Sequence, residues 1–132
     1  MTGGTDAPED RRYTKTHEWV RPVAEEVEVG ITDHAQAELT DIVFVDLPEV
    51  GKVVTPGDAV LVLESVKTVS DVYAPVGGTV SAVNTELKAH PEFVNQEPYG
   101  RGWLYRLRPA APWAPDAHLS GAQYLASVGP GA

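Results

Sequence analysis

The sequence predicts a mainly β fold, a compact sandwich or barrel with one small internal helix. Two observations carry that expectation. Short apolar or alternating runs recur from His17 to Leu107, and turns rich in Gly and Pro close them, such as Pro48-Glu49-Val50-Gly51, Thr55-Pro56-Gly57-Asp58 and Gly77-Gly78. With 132 residues, the chain has room for one modest core plus tails.

Taken in order, residues 1–11 are rich in Gly, Pro and acids and are expected to form a disordered tail. His17–Val23 and Glu26–Ile31 read as two strands around a turn at Pro22–Glu25. The second alternates Val27, Val29 and Ile31 with Glu26, Glu28 and Gly30. Thr32-Asp33 supplies a cap for a helix through Ala35, Ala37 and Leu39, ending near Thr40-Asp41. Ile42–Leu47 and Lys52–Val54 are strands. Ala59–Leu63 is apolar throughout and is expected to be buried on both faces. Val69–Pro75, Thr79–Val83 and Trp103–Leu107 complete the strands, while 84–100 reads as loop. The expected domain spans 12–109. Residues 110–132 form a C-terminal segment, in which Leu119, Gln123, Tyr124 and Leu125 suggest a short helix packed on that domain.

Composition narrows the function classes. A hydrophobic content of 42% with 22% charged residues is that of a globular chain. The absence of cysteine excludes disulfides, thiolate nucleophiles and Cys-based metal sites. A net charge of −9 without a Lys/Arg cluster argues against nucleic acid and for encounters with basic protein surfaces. Met1–Arg12 has no apolar run and is acidic, so it reads as neither signal nor transit peptide. A bacterial cytoplasmic protein is the expected setting.

The chemistry concentrates in Leu63-Glu64-Ser65-Val66-Lys67-Thr68-Val69-Ser70-Asp71-Val72, which is nearly mirror-symmetric about Lys67-Thr68. A hairpin with that tip pairs Val66 with Val69, Ser65 with Ser70 and Glu64 with Asp71. Two local rules are then broken together: the tip lacks Gly or Asn, and two carboxylates face each other. Such conflicts mark functional sites. Lys67 is a poor nucleophile, since a reactive amine needs burial or a nearby cation and an acid-flanked tip offers neither. It is well placed for acylation and for presenting a swinging arm, against the plainer reading of a solvated surface lysine.

Glu64-Ser65-Val66-Lys67 followed by Ser70-Asp71-Val72-Tyr73-Ala74-Pro75 resembles the lipoyl-lysine signature of the glycine cleavage H proteins. Tyr13–Trp19, Val29–Gln36, Val43–Gly51, Val94–Tyr99 and Gly102-Trp103 resemble further blocks of that family, in its order. The resemblance implies a barrel-sandwich hybrid (the lipoyl/biotinyl type) with a short internal helix and a C-terminal helix. It implies a non-catalytic carrier with lipoate covalently attached to Lys67, taking an aminomethyl group from glycine decarboxylase (P protein) to aminomethyltransferase (T protein). Dihydrolipoamide dehydrogenase (L protein) then reoxidises the arm. It also implies that lipoate-attaching enzymes read Glu64, and that Glu18 and Asp71 line the cleft where the loaded arm docks. The C-terminal segment departs from the family in lacking its common acidic helix.

Other readings fit less well. Protein-to-protein lipoate relay would use the same Lys67. A biotinyl carrier is expected to show Met-Lys-Met, unlike Val66-Lys67-Thr68. An unmodified β-rich interaction module would leave Lys67 free. His34 and Glu38, at i and i+4, offer two metal ligands but no third at usable spacing. No Gly-x-Ser-x-Gly elbow supports a hydrolase, and Gly77-Gly78 lacks phosphate-loop context.

Overall fold

The computed structural model describes residues 6–128. Among the described residues, nine strands form two antiparallel sheets, a result consistent with the expected barrel-sandwich hybrid and not a closed barrel. The larger sheet contains β1 (Arg12–Tyr13), β2 (Glu18–Val23), β3 (Glu26–Ile31), β5 (Val53–Val54), β8 (Gly78–Val83) and β9 (Tyr105–Pro109), in the order β1-β2-β3-β9-β8-β5. The smaller contains β4 (Ile42–Asp46), β6 (Ala59–Ser65) and β7 (Val69–Tyr73), in the order β4-β6-β7. No helix among the described residues is long and apolar enough to cross a membrane.

The core is built from one face of each sheet. Val29, Ile31, Val80 and Leu107 from the larger sheet join Val45, Leu61, Leu63 and Val72 from the smaller in one buried cluster. Because strand side chains alternate, the residues between them face outward. This corrects the expectation for Ala59–Leu63: Ala59 is exposed and Val62 only half-buried. The outer face of the small sheet is open, so its apolar run is not doubly covered.

Helix α1 (Asp33–Leu39) starts where expected, with Thr32 Oγ1 accepting from the Ala35 amide at 3.1 Å. Thr40 ends it at φ 63°. The stretch 84–100, expected as loop, contains a 3-10 turn at Thr85–Lys88 and the one-turn helix α2 (Phe93–Gln96). Both are too short to show a helical period in sequence. On α2, the Asn95 side-chain amide donates to the Thr40 carbonyl (2.7 Å) and its oxygen accepts from Ile42 N (2.8 Å). These bonds fix the chain as it leaves α1 for β4.

The two ends of the described chain meet in a second buried cluster of Tyr13, Trp19 and Tyr124. Helix α3 (Gly121–Val128) supplies Tyr124, whose ring stacks on Tyr13 at 5.0 Å and whose hydroxyl bonds Thr32 Oγ1 and His17 Nδ1. The expected C-terminal helix is therefore present without an acidic first turn, although residues 129–132 lie outside the described residues. The disordered-tail expectation is corrected for residues 6–11. There the Asp6 carbonyl accepts from the Tyr99 hydroxyl, Pro8 O from Tyr13 Oη, and Arg11 lies 4.6 Å over the Trp19 ring. Residues 1–5 lie outside the described residues.

Candidate functional site

Lys67 stands exposed at the tip of the β6–β7 hairpin, and among the described residues no carboxylate forms an ion pair with it. The register differs from the mirror-symmetric one. Glu64 pairs with Val69, Leu63 with Ser70 and Val62 with Asp71, which centres the turn on Val66-Lys67 rather than Lys67-Thr68. Ser65 explains the shift. Its hydroxyl accepts from the amides of Lys67 (3.1 Å) and Thr68 (3.0 Å), while its own amide donates to the Thr68 carbonyl at 2.8 Å. A side-chain oxygen thus satisfies the turn amides, and no residue of the tip has positive φ. The expected clash of facing carboxylates disappears, because Glu64 and Asp71 belong to different pairs. The change of partner is an even number of residues, so every side chain keeps its face.

The tip is also tied to the neighbouring strand. Val66 N donates to the carbonyl of Asp41 at 3.0 Å, and Asp41 lies between Thr40 and Ile42, the two residues that Asn95 holds. Lys67 therefore projects from a turn braced on one side by Ser65 and on the other by Asp41. A free amine on a braced, solvated turn suits amide attachment of a long arm. The site residues sequence reasoning missed are Ser65, Asp41 and Asn95. The Ser65-x-Lys67-Thr68 spacing was the one available signal.

Glu64 and Asp71 are exposed on the outer face of the small sheet. Glu18 is not. Expected to line the cleft where the arm docks, it is only 2% exposed. One oxygen accepts from the hydroxyls of Thr14 (2.6 Å) and Thr16, and the other from the amide of Tyr73 at 3.1 Å. It thereby pins β7 against β2, two residues from Asp71 along the strand. Burial raises the Glu18 carboxyl above its usual range, and the Thr14, Thr16 and Tyr73 hydrogen bonds oppose that rise.

A raised carboxyl value means the folded state holds its proton more tightly than the unfolded chain. The stability this contributes is complete below the ordinary carboxyl range and is lost as pH rises through the raised value. A glutamine at this position keeps an acceptor for Tyr73 and does not titrate. The stability of the parent minus that of Glu18→Gln is expected to fall as pH rises from the ordinary carboxyl range into the raised one. Urea midpoints of both chains across that range measure it, and a flat or rising difference contradicts it.

His17 and His34 lie side by side near Glu38. His34 Nε2 lies 3.5 Å from Glu38 Oε2, and the His17 and His34 rings are 4.7 Å apart. Burial, and then His34, lower the His17 value.

A braced surface lysine on a two-sheet β domain defines a module that holds one exposed amine at a fixed point of its surface. The comparisons identify the kind. The family model described as Glycine cleavage H-protein matches residues 11–128. A protein named Glycine cleavage system H protein from Thermus thermophilus is 61% identical over 104 residues, 79% of this chain and 81% of that one. One of the same name from Geobacillus kaustophilus is 50% identical over 126 residues, 96% of this chain and 99% of that one. The crystal structure of a glycine cleavage system H protein from Mycobacterium marinum superposes with a TM-score of 0.82 at 42% identity, covering 92% of this chain and 98% of that one. The chain belongs to the glycine cleavage H-protein family.

Proposed function

We infer that the chain is the lipoyl carrier of a bacterial cytoplasmic glycine cleavage system, with the arm amide-linked to Lys67. The observation that carries this is the exposed Lys67 on a turn braced by Ser65 and Asp41, in a member of that family. When bound, lipoate supplies the dithiolane chemistry, and the protein supplies position.

The chain's own groups divide that work. Lys67 Nζ forms the amide. Ser65 and the Asp41 carbonyl keep the turn rigid, so the arm swings from a fixed root. Glu64, three residues before Lys67 on the exposed face, is what lipoate-attaching enzymes read. Asp71 on the same face attracts a cationic cargo. Glu18, both oxygens already engaged, acts as a positioning residue that holds the β7 edge beside Asp71. Glycine decarboxylase, aminomethyltransferase and dihydrolipoamide dehydrogenase are the partners, and the chain acts as carrier rather than catalyst.

The test is reconstitution. Carbon dioxide release from glycine by glycine decarboxylase is expected to depend on adding the lipoylated chain. If the decarboxylase works with another H protein but not with this one, a role in lipoate relay takes precedence. Asp71→Asn is expected to shorten the lifetime of the cargo-bearing form in buffer roughly twofold to fivefold, the range of an exposed charge pair. Decay followed by intact mass without partner enzymes measures this. An unchanged lifetime removes Asp71 from the arm's path.

A further inference from the structure

Strand β4 carries a device that the carrier chemistry does not use. Ile42 pairs with Ser65 on β6, but Phe44 pairs with Glu64, so Val43 is an extra residue in the ladder. Simple alternation would send one of Val43 and Phe44 into the core. The bulge instead leaves both outside, 52% and 49% exposed, while Ile42 and Val45 on either side are buried. Two further apolar side chains stand at the adjoining hairpin, Val66 at 68% and Val69 at 64% exposure. Phe44, Glu64 and Val69 form one row across the outer face of the small sheet, and Asp46, Val62 and Asp71 form the next. The apolar group therefore borders Lys67 and is edged by carboxylates.

The patch is held in shape. Ile42 N is bound by Asn95 Oδ1, and Val66 N by the Asp41 carbonyl, so bulge and hairpin move as one piece. A preformed patch loses little freedom on docking.

Charge indicates the occupant. Between residues 40 and 75 the chain carries Asp41, Asp46, Glu49, Asp58, Glu64 and Asp71 against two cations, Lys52 and Lys67, and from outside that span Lys88 lines the same hollow as Phe44 and Asp46. Acylation of Lys67 removes one of those two. Every arginine of the sequence (Arg11, Arg12, Arg21, Arg101, Arg106, Arg108) lies outside that span. A second copy of this chain would bring acid against acid, which opposes self-association.

We propose that the Val43-Phe44 bulge and the Lys67 hairpin form one docking surface for a partner protein that offers an apolar hollow ringed by lysine or arginine. The inference rests on the carrier reading above, and glycine decarboxylase is the partner used to test it. Phe44 fills the hollow, Val43, Val66 and Val69 exclude water around it, and Asp46, Glu64 and Asp71 meet the cationic ring.

The experiment is calorimetric titration of the full-length lipoylated chain, its Phe44→Ser variant and a Val53→Ser control with the decarboxylase. Val53 is 73% exposed on β5 of the other sheet. Phe44→Ser is expected to weaken the Kd at least tenfold with unchanged melting temperature and unchanged lipoyl mass, and Val53→Ser to leave it alone. Parent affinity should fall between about 0.05 M and about 0.5 M salt, with a smaller slope in Asp46→Asn and the parent's slope in Phe44→Ser. Equal Kd for parent and Phe44→Ser overturns the docking surface alone. Affinity that ignores salt overturns the cationic ring. No binding by the parent overturns the carrier reading and this occupant together. A concentration-dependent dimer of the parent that Phe44→Ser abolishes assigns the patch to a second copy instead.

Discussion

Lys67→Arg is expected to fold as the parent does and to accept no lipoyl group at all. The side chain is exposed and makes no ion pair among the described residues, so its replacement by another long cation should change stability by less than about 0.5 kcal/mol. A guanidinium does not form the required amide, so the loss of modification is complete rather than graded. Lys15→Arg, Lys52→Arg and Lys88→Arg serve as controls that retain the modification. Intact masses of the four variants from a lipoylating host, alongside their melting curves, measure both halves. Lipoyl mass on Lys67→Arg contradicts the assignment. Its loss in a control points to another attachment lysine.

The largest stability effect is expected at Trp19, where the two ends of the described residues and the 84–103 segment converge. Its side chain is fully buried, its indole N–H donates to the Pro98 carbonyl at 2.9 Å, and Arg11 covers one side of the ring. Gly30 lies against the ring so closely that a Cβ there would sit 2.5 Å from the indole. Trp19→Ala opens a cavity and is expected to cost about 3–5 kcal/mol, a fall in Tm of roughly 10–20 °C. Gly30→Ala is expected to cost about 1–3 kcal/mol by overpacking. The two are coupled through one contact, so the alanine at position 30 should cost little once the indole is gone. Urea denaturation of both single variants and the double variant completes the cycle. Additive losses contradict the contact.

Much of the β architecture is legible in the sequence because strand alternation and turn chemistry act locally. Glu26–Ile31 alternates cleanly and forms β3, and Thr32 caps α1 through its own hydroxyl. The Lys67 hairpin is legible as a hairpin, yet its register is not. Mirror symmetry weighs Val66 against Val69 and is blind to the Ser65 hydroxyl, which takes the turn amides and moves the centre by one residue. The bulge at Val43 is illegible for a similar reason, since a period of two cannot reveal an inserted residue until its partner strand is known. Glu18 illustrates the third limit. Glu18, Trp19 and Val20 are all buried in succession, because β2 is covered on one side by the core and on the other by the terminal cluster. Nothing local announces that double cover, nor that Thr14, Thr16 and Tyr73 satisfy the carboxylate.

The proposed attachment of the lipoyl arm to Lys67 has a direct chemical readout. Proteolytic peptide mapping by mass spectrometry, on the unaltered chain from a lipoate-supplied host, tests it most directly. One lipoyl group per chain is expected, on the peptide containing Lys67. A chain that stays unmodified while the host lipoylates its own proteins, or a lipoyl group on Lys15, Lys52 or Lys88, would contradict it.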